Sequence, residues 1–547
     1  MTGRCRATAP TLWLALWLAA GLAHAHAPTA SGSPVVTGTP EPQPVLAQAG
    51  AAEPALQRGL PSLGDAGAMT PLEERKLGDR IARELYRDPD FVDDPVVGEY
   101  VDTIWRALRQ GAKARGELPP ELDERYAWRV LLGRDHSINA FALPGGYFGL
   151  HMGLVGVVNS RDELASVLAH EMTHITQRHI PRMLAQQARQ GPLVLAGIAA
   201  ALIATSRNPQ AGAAVLVGGQ AAMIQQQLNF SRDMEREADR IGYGVLTESG
   251  FAGQGFVSMF EKLQNAARLS DNADWPYLRS HPLTTQRIAD MQQRSGGPAP
   301  APAARAAVAL EPLLVAARAR VLSRPGVDVL RAWAALPDGA GFAALPPERR
   351  AAALYAAALA QADLRDATQA QAMADRLLPL VRADAAATRQ ARLLHAELAA
   401  RRGDGARVLA LLPARVAAAD PRSQAGRPEL LLAAEALTRG GQATEAASRL
   451  QTWLADHPDD GPAWNALAQA YAASGQTLRS LRAEGEAQVA RLDWAGAVDR
   501  FRAAQDATRQ PGGQPVDHIE ASIIDARLRQ TQALLAQQRL EDQKKPL

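Results

Sequence analysis

The stretch His170-Glu171-Met172-Thr173-His174 decides how the rest of this chain is interpreted. Because residues four apart on a helix share one face, His170 and His174 can bind one metal ion from a single helix. Glu171 then lies beside that ion without binding it, which is the place of a general base for hydrolysis. The spacing predicts a helix over about 162–177 and the active centre of a zinc metallopeptidase.

A second helix is expected to complete the metal site. Catalytic zinc takes three protein ligands and keeps one position for water, so a further ligand has to come from elsewhere. The best candidate is Glu235, in residues 234–239 (MEREAD). Asp239, four residues later on the same face, is expected to accept the ring N–H of a metal-bound histidine. Glu237 projects about 200° away from Glu235 and is interpreted as solvent-facing or structural.

Two other histidines, His179 and His281, each follow one of these motifs in the sequence. His281, in Arg279-Ser280-His281-Pro282, follows the Glu235 segment and is a candidate to reach the same ion. It either donates to the oxyanion of the tetrahedral intermediate or fills the fourth position on the zinc and holds the site shut. An ordinary histidine in a polar turn is the alternative. His179, five residues after His174, is rotated off the metal face, so a role at a helix C-terminus is expected.

Short strands are predicted upstream of the metal-binding helix, at 128–132, 138–143 and 147–150. The last of them is a candidate edge strand that pairs with the backbone of an extended substrate. Its residues are Tyr147, Phe148, Gly149 and Leu150. An ordinary core strand is the alternative.

These motifs together resemble a known family. H-E-x-x-H at 170–174, E-x-x-x-D at 235–239, Asn139-Ala140-Phe141 and Pro144-Gly145-Gly146 are similar to the zinc endopeptidases that include the prenyl-protein CAAX protease and the heat-shock membrane protease HtpX. The resemblance implies one Zn²⁺ per chain, water activation by Glu171, and substrate pairing at 147–150. The metal ligands that it implies are His170, His174 and Glu235.

The donor chemistry agrees with that resemblance. Two imidazoles and one carboxylate suit zinc, which lowers the pKa of bound water towards neutrality. The alternative is a structural or vestigial site. Structural zinc sites often use cysteines, and the only cysteine of the chain is Cys5, inside a predicted signal peptide.

The chain before residue 70 predicts export and disorder. Residues 1–27 hold two arginines, an apolar run over 12–22 and small residues after it, which is typical of a cleaved signal peptide. An uncleaved anchor is the alternative, but the run is shorter than the roughly 20 apolar residues that a membrane span needs. Residues 28–69 are rich in Pro, Ala, Gly and Ser and predict a disordered leader. The signal predicts a periplasmic protein.

Two regions are expected after the leader. Residues 70–295 should form the metallopeptidase domain, beginning with a helix capped by Thr70 and Glu73. Two apolar stretches within it, 192–205 and 211–224, predict a buried helical hairpin or a loop in peripheral contact with a membrane. A linker at 296–307 then precedes a helical domain at 308–547.

The helical domain contains a repeat of 34 residues, the period of tetratricopeptide repeats. Leu430, Ala434, Leu437, Gly441 and Gln442 recur as Trp464, Ala468, Tyr471, Gly475 and Gln476. Such repeats stack helix pairs and offer a concave groove to partners. Residues 516–543 predict a C-terminal capping helix. A generic Ala-rich helical bundle is the alternative.

The predicted fold class is therefore an α+β zincin-like metallopeptidase domain, mostly helical with a small sheet, followed by an all-α tetratricopeptide-repeat solenoid. A net charge of +2 over 547 residues gives no support to nucleic-acid binding. The resemblance, the signal and the repeats imply a periplasmic endopeptidase for misfolded or stalled outer-membrane proteins, docked by its repeats on the outer-membrane assembly machinery. A non-catalytic chaperone or scaffold and a membrane-associated zinc protease are the alternatives.

Overall fold

The computed structural model describes residues 69–188, 232–269, 276–296, 309–413, 426–508 and 517–544. Four predicted segments lie outside this part of the chain, apart from Met69 and Gly296. They are the signal peptide at 1–27, the leader at 28–69, the apolar pair at 192–224 and the linker at 296–307.

The N-terminal region, up to residue 296, is mostly helical. Its helices are α1 (Pro71–Arg87), α2 (Pro95–Ala114), α3 (Pro120–Arg125), α4 (Met152–Val157), α5 (Arg161–Thr176), α6 (His179–Ala188), α7 (Arg232–Glu248), α8 (Gln254–Leu269), α9 (Pro276–Ser280) and α10 (Thr285–Arg294). Its strands are β1 (Phe91–Val92), β2 (Arg129–Gly133), β3 (Ala140–Leu143) and β4 (Tyr147–His151), with a 3₁₀ turn at Pro144–Gly146 between the last two.

Local signals set the starts of two helices. Thr70 and Glu73 form the predicted capping box at α1, each side chain accepting from the backbone of the other residue. At α5, the hydroxyl of Ser160 accepts from the backbone N–H of Glu163. Helix α5 therefore begins and ends within one residue of the limits that the sequence predicted.

Helix α5 runs through the middle of the N-terminal core. It contacts α7, α8, α2 and β3, and its residues from Glu163 to Thr176 are all buried. A helix without an exposed face belongs in the interior of a domain, where its polar side chains need partners within the protein. The H-E-x-x-H residues are thereby placed inside the protein.

The sheet has the strand order β1-β2-β4-β3. β2 and β4 run parallel, while β1 and β3 lie antiparallel to their neighbours. The prediction that Tyr147, Phe148, Gly149 and Leu150 form an edge strand is wrong, because β4 is hydrogen-bonded on both sides. The parallel pairing with β2 occupies the backbone groups that a substrate would need. In the described part of the chain, the edge beside α5 belongs to β3.

The C-terminal region consists of helices alone in its described residues. They are α11 (Leu310–Leu322), α12 (Val327–Ala335), α13 (Pro347–Asp363), α14 (Ala367–Val381), α15 (Ala385–Arg401), α16 (Gly405–Leu411), α17 (Arg427–Arg439), α18 (Ala443–Asp456), α19 (Gly461–Ala473), α20 (Thr477–Ala490), α21 (Trp494–Ala507) and α22 (His518–Lys544). Short 3₁₀ turns at Leu336–Asp338 and Phe342–Ala344 separate α12 from α13.

Successive helices of this region pack on one another, as a repeat requires. Contacts join α17 to α18, α18 to α19, α19 to α20 and α20 to α21. Leu467 and Tyr471 of α19 are buried, as is Leu450 of α18. The predicted fold class is confirmed as a mostly helical α+β domain followed by a helical repeat region. Among the described residues, no helix has the length and apolar character needed to cross a bilayer.

The helical repeat region packs directly on the N-terminal region. Helix α11 contacts α2 and α4, and α17 contacts α2. Three arginines from successive parts of the repeat region bind carboxylates at the N-terminal end of α2, and we call them the arginine clasp. The pairs are Arg318–Asp94 (2.6 Å), Arg389–Glu99 (2.8 Å) and Arg427–Asp93 (2.7 Å). Part of the repeat surface is therefore occupied by the chain's own N-terminal region.

Candidate metal centre

Helices α5 and α7 bring together the three predicted metal ligands. His170 and His174 project from α5, and Glu235 projects from the first turn of α7. All three side chains are buried. Their ligand atoms, together with one from His281, lie within 4.8 Å of one another. The sequence prediction thus matches a cluster of donors that are far apart in the chain.

The spacing of these donor atoms fits a tetrahedral metal. The Nε2 atoms of His170 and His174 lie 3.1 Å apart, and the Glu235 carboxylate oxygens lie 3.4 Å from the first and 3.6 Å from the second. Donors about 2.0–2.2 Å from a tetrahedral zinc ion are roughly 3.3–3.6 Å from each other. The two distances to Glu235 lie in this range and the distance between the two histidines is slightly shorter, so the three side chains can face one ion with little rearrangement.

Glu171 lies beside this cluster but is held by a different partner. Its Oε2 accepts a hydrogen bond from the backbone N–H of Ala142 in β3 at 3.0 Å. Its Oε1 lies 3.3 Å from Nε2 of His281. Burial raises the pKa of the Glu171 carboxyl, which favours proton uptake. A carboxylate in this position can accept a proton from water at the centre.

His170 is oriented by the carboxylate predicted for that role. Nδ1 of His170 donates to Oδ1 of Asp239 at 3.0 Å, which leaves Nε2 for the metal. Arg287, from α10, donates to both oxygens of Asp239 at 2.6 and 2.8 Å. The same guanidinium reaches Oε2 of Glu235 at 2.8 Å. Arg287 therefore holds one predicted metal ligand, Glu235, and the partner of another, Asp239, in one place.

Arg287 is a residue of the site that no sequence motif predicted. It is a buried arginine on a short helix, and helical periodicity gave no reason to place it at the metal centre. The available signal was its position six residues after His281, in residues 281–287 (HPLTTQR).

The charged groups of the centre shift one another's pKa values. Burial lowers the pKa of His170, but hydrogen bonds to Asp239 and Glu235 outweigh burial and raise it to about 9. Burial raises the pKa of Glu235, yet His281 and His170 bring it well below its usual range. Burial, reinforced by His170, also lowers the pKa of His174. The two carboxylates thus stabilise a proton on His170 while His174 is kept neutral, and a metal cation can replace that proton.

His174 has a different support from His170. Its Nδ1 lies 2.8 Å from Nδ1 of His179, and Nε2 of His179 lies 3.1 Å from Oε2 of Glu237. The expectation that His179 serves a helix C-terminus is wrong, because α5 ends before it and His179 begins α6. Of the two roles considered for Glu237, solvent-facing or structural, these contacts favour the structural one. Its Oε2 also accepts from Arg182 at 3.0 Å.

His281 lies inside the centre. Its Nδ1 is 3.0 Å from Oε1 of Glu235 and 3.3 Å from Nε2 of His170. Tyr277 stacks on its ring with a centroid distance of 4.8 Å. The imidazole is buried, so it is not a histidine in an exposed polar turn. Its position next to two metal-facing donors is compatible with both functional interpretations.

Comparison with known proteins agrees with this geometry. Residues 112–295, which hold all four donor side chains, match the model of peptidase family M48. The beta-barrel assembly-enhancing protease of Escherichia coli (strain K12) is 31% identical over 441 residues, which cover 80% of this chain and 85% of that protein. The chain belongs to peptidase family M48. The prediction of a metallopeptidase is thereby confirmed.

The M48 relatives differ in how much of the chain they share. A Vibrio cholerae relative is 34% identical over 324 residues, or 58% of this chain and 63% of that protein, which is less than two thirds of its length. The mitochondrial metalloendopeptidase OMA1 of Arabidopsis thaliana is 31% identical over 164 residues, or 30% of this chain. The 441 residues matched to the E. coli protein are more than the chain holds before α11 begins at Leu310, so this similarity includes part of the helical repeat region.

Proposed function

We propose that this M48 protein is a zinc-dependent endopeptidase of the periplasm that cleaves misfolded or stalled outer-membrane proteins. The observation that carries the proposal is the buried donor set of His170, His174 and Glu235, with Glu171 directly beside it. Nitrogen and carboxylate donors without cysteine are typical of catalytic zinc sites.

Glu171, Asp239 and Arg287 have different roles in the proposed hydrolysis. Zinc, when bound, polarises the scissile carbonyl and lowers the pKa of water. Glu171 accepts a proton from the attacking water and passes it to the leaving amine. The Ala142 N–H fixes one oxygen of Glu171, so the other stays directed at the centre. Asp239 and Arg287 keep the donor atoms of His170 and Glu235 in place.

The open edge of β3 is the proposed place for the substrate backbone. Within the described residues β3 pairs only with β4, and its other edge faces Glu171 at Ala142. An extended peptide added to Ala140–Leu143 would lie along the metal centre and pair with backbone groups of β3 other than the Ala142 N–H, which donates to Glu171. This assignment replaces the one predicted for β4.

We propose that His281 fills the fourth position of the centre in the resting protein. Its contacts with Glu235 and His170 support this reading over an oxyanion donor, which would have to leave room for substrate. If the open state is about 1–10% populated, His281→Ala should raise the cleavage rate roughly 10- to 100-fold. The measurement is steady-state cleavage of an unfolded barrel protein. A lower rate would favour the oxyanion role, and an unchanged rate would reject both roles.

The cellular setting rests on the sequence and on the relatives. Residues 1–27 have the pattern of an export signal, and the E. coli relative is named for beta-barrel assembly. We propose that unfolded or misassembled outer-membrane proteins are the substrates. We also propose that the repeats, as tetratricopeptide units, dock the enzyme on the outer-membrane assembly machinery. Residues 192–224 are the candidate for peripheral membrane contact.

Metal removal tests the proposed function. The purified protein should contain about one zinc per chain and cleave an unfolded outer-membrane barrel protein. A chelator should abolish cleavage, and added zinc should restore it. Cleavage that survives complete metal removal would contradict the proposal. Protection of the barrel protein from aggregation without any cleavage would favour the chaperone alternative.

A further inference from the structure

We propose that His179 and Glu237 are positioning residues that fix the ring of His174 and raise the affinity of the centre for its metal. We call this pair the His174 relay. The inference rests on the proposed function, since it assumes that Nε2 of His174 binds the ion. His179 lies outside the H-E-x-x-H motif, and the helical spacing placed Glu237 away from the face of Glu235. Both residues nevertheless have a role at the metal centre in this proposal.

The backbone between α5 and α6 turns His179 back towards His174. Arg178, between the two helices, adopts a left-handed conformation with φ of 52°. This conformation is uncommon for a residue other than glycine and changes the direction of the backbone between α5 and α6. The Arg178 side chain binds Glu74 at 3.1 Å, so the bend is tied to α1. The two imidazole rings then meet edge to face, with centroids 4.8 Å apart and planes at 77°.

The carboxylate of Glu237 determines which atom donates in each hydrogen bond of the relay. The carboxylate of Glu237 accepts, so Nε2 of His179 carries a proton. Nδ1 of the neutral His179 ring is then an acceptor, and Nδ1 of His174 donates to it across 2.8 Å. This tautomer of His174 leaves the lone pair on Nε2, the atom that faces His170 and Glu235. The relay therefore selects the neutral form of His174 in which Nε2 can bind a metal.

Helix α7 supports both histidines of α5 with carboxylates. Asp239 reaches His170 directly, and Glu237 reaches His174 through the ring of His179. Residues that orient a metal-bound histidine commonly change metal affinity 10- to 100-fold. The same range is expected for the relay, because it acts on His174 as Asp239 acts on His170.

Zinc affinity of the full-length chain tests the relay directly. His179→Phe keeps a planar aromatic ring and removes both nitrogens, so zinc should bind roughly 10- to 100-fold more weakly. His179→Gln retains an acceptor for Nδ1 of His174 and should recover most of that loss. Glu237→Gln should weaken zinc binding by a smaller factor. Affinities are measured by competition with a chromogenic chelator, and the absorption spectrum of the cobalt-substituted protein should shift in His179→Phe.

A matched control comes from the helical repeat region. His395 is also a buried histidine bonded to a carboxylate, with Nε2 at 3.0 Å from Asp375, but it lies outside the donor cluster. His395→Phe should leave zinc affinity unchanged. Wild-type zinc affinity in both His179→Phe and Glu237→Gln would overturn the relay, even if the melting temperature of either variant falls. Absence of stoichiometric zinc in the wild type would instead refute the proposed function, and the relay with it.

Discussion

Replacing Glu171 with Gln is expected to slow peptide-bond cleavage by roughly 10²- to 10⁴-fold, the usual contribution of general acid–base catalysis. The amide keeps the shape of the side chain but cannot take a proton from water. Zinc content should stay at the wild-type level, because Glu171 is not among the four clustered donors. The measurements are metal content by mass spectrometry and the initial rate of cleavage of an unfolded barrel protein.

The control for this variant is Glu121→Gln. The Glu121 side chain is 57% exposed and makes a long surface contact with Arg125 at 3.6 Å, so its loss should not change the rate. Cleavage by Glu171→Gln at the wild-type rate would reject the role assigned to Glu171. Loss of zinc together with activity would show instead that Glu171 helps to bind the metal.

The arginine clasp gives the second large prediction. Arg318 is buried and donates to both Asp94 and Glu397, so Arg318→Ala leaves Asp94 without this cation, while Glu397 keeps its pair with Arg401. Breaking a buried pair in this way costs about 3–5 kcal/mol. We expect thermal unfolding at a markedly lower temperature and faster limited proteolysis between the N-terminal and repeat regions. Arg318→Lys should not restore stability, because a compact ammonium group lacks the planar fork that donates to Asp94 and to Glu397 at once.

Arg331→Ala is the matched control for the clasp. Arg331 pairs with Asp328 at 3.4 Å, and both side chains are largely exposed. Such a surface pair contributes about 0–1 kcal/mol, so the melting temperature should hardly move. Equal melting temperatures for Arg318→Ala and the wild type would mean that the clasp does not hold the two regions together.

Part of the metal centre was predictable because it depends on local geometry. His170 and His174 share a helical face by their spacing, and Glu235 and Asp239 repeat that spacing on another helix. What joins the two helices is tertiary packing, which brings α7 against α5. Arg287 could not be assigned for the same reason, since its role depends on where α10 lies and not on its neighbours in sequence.

The edge-strand prediction failed for a related reason. Alternation and turn residues showed that 147–150 is a strand, and β4 occupies that place. They did not show which strands flank it, because pairing joins residues far apart in the chain. Parallel pairing with β2 put β4 inside the sheet and left the edge beside Glu171 to β3.

The amino-acid sequence by itself determined the features that are visible as fixed spacings between residues in the chain: the H-E-x-x-H and E-x-x-x-D motifs, the capping box of α1 and the 34-residue period. Only the tertiary structure decided which side chains support the metal ligands, which strand borders the centre, and that three arginines tie the repeats to α2. The physical reason is the separation in sequence between the residues that interact. Helical spacing follows from the backbone's hydrogen bonds to near neighbours, whereas buried charges find partners wherever folding places opposite charges within hydrogen-bond distance.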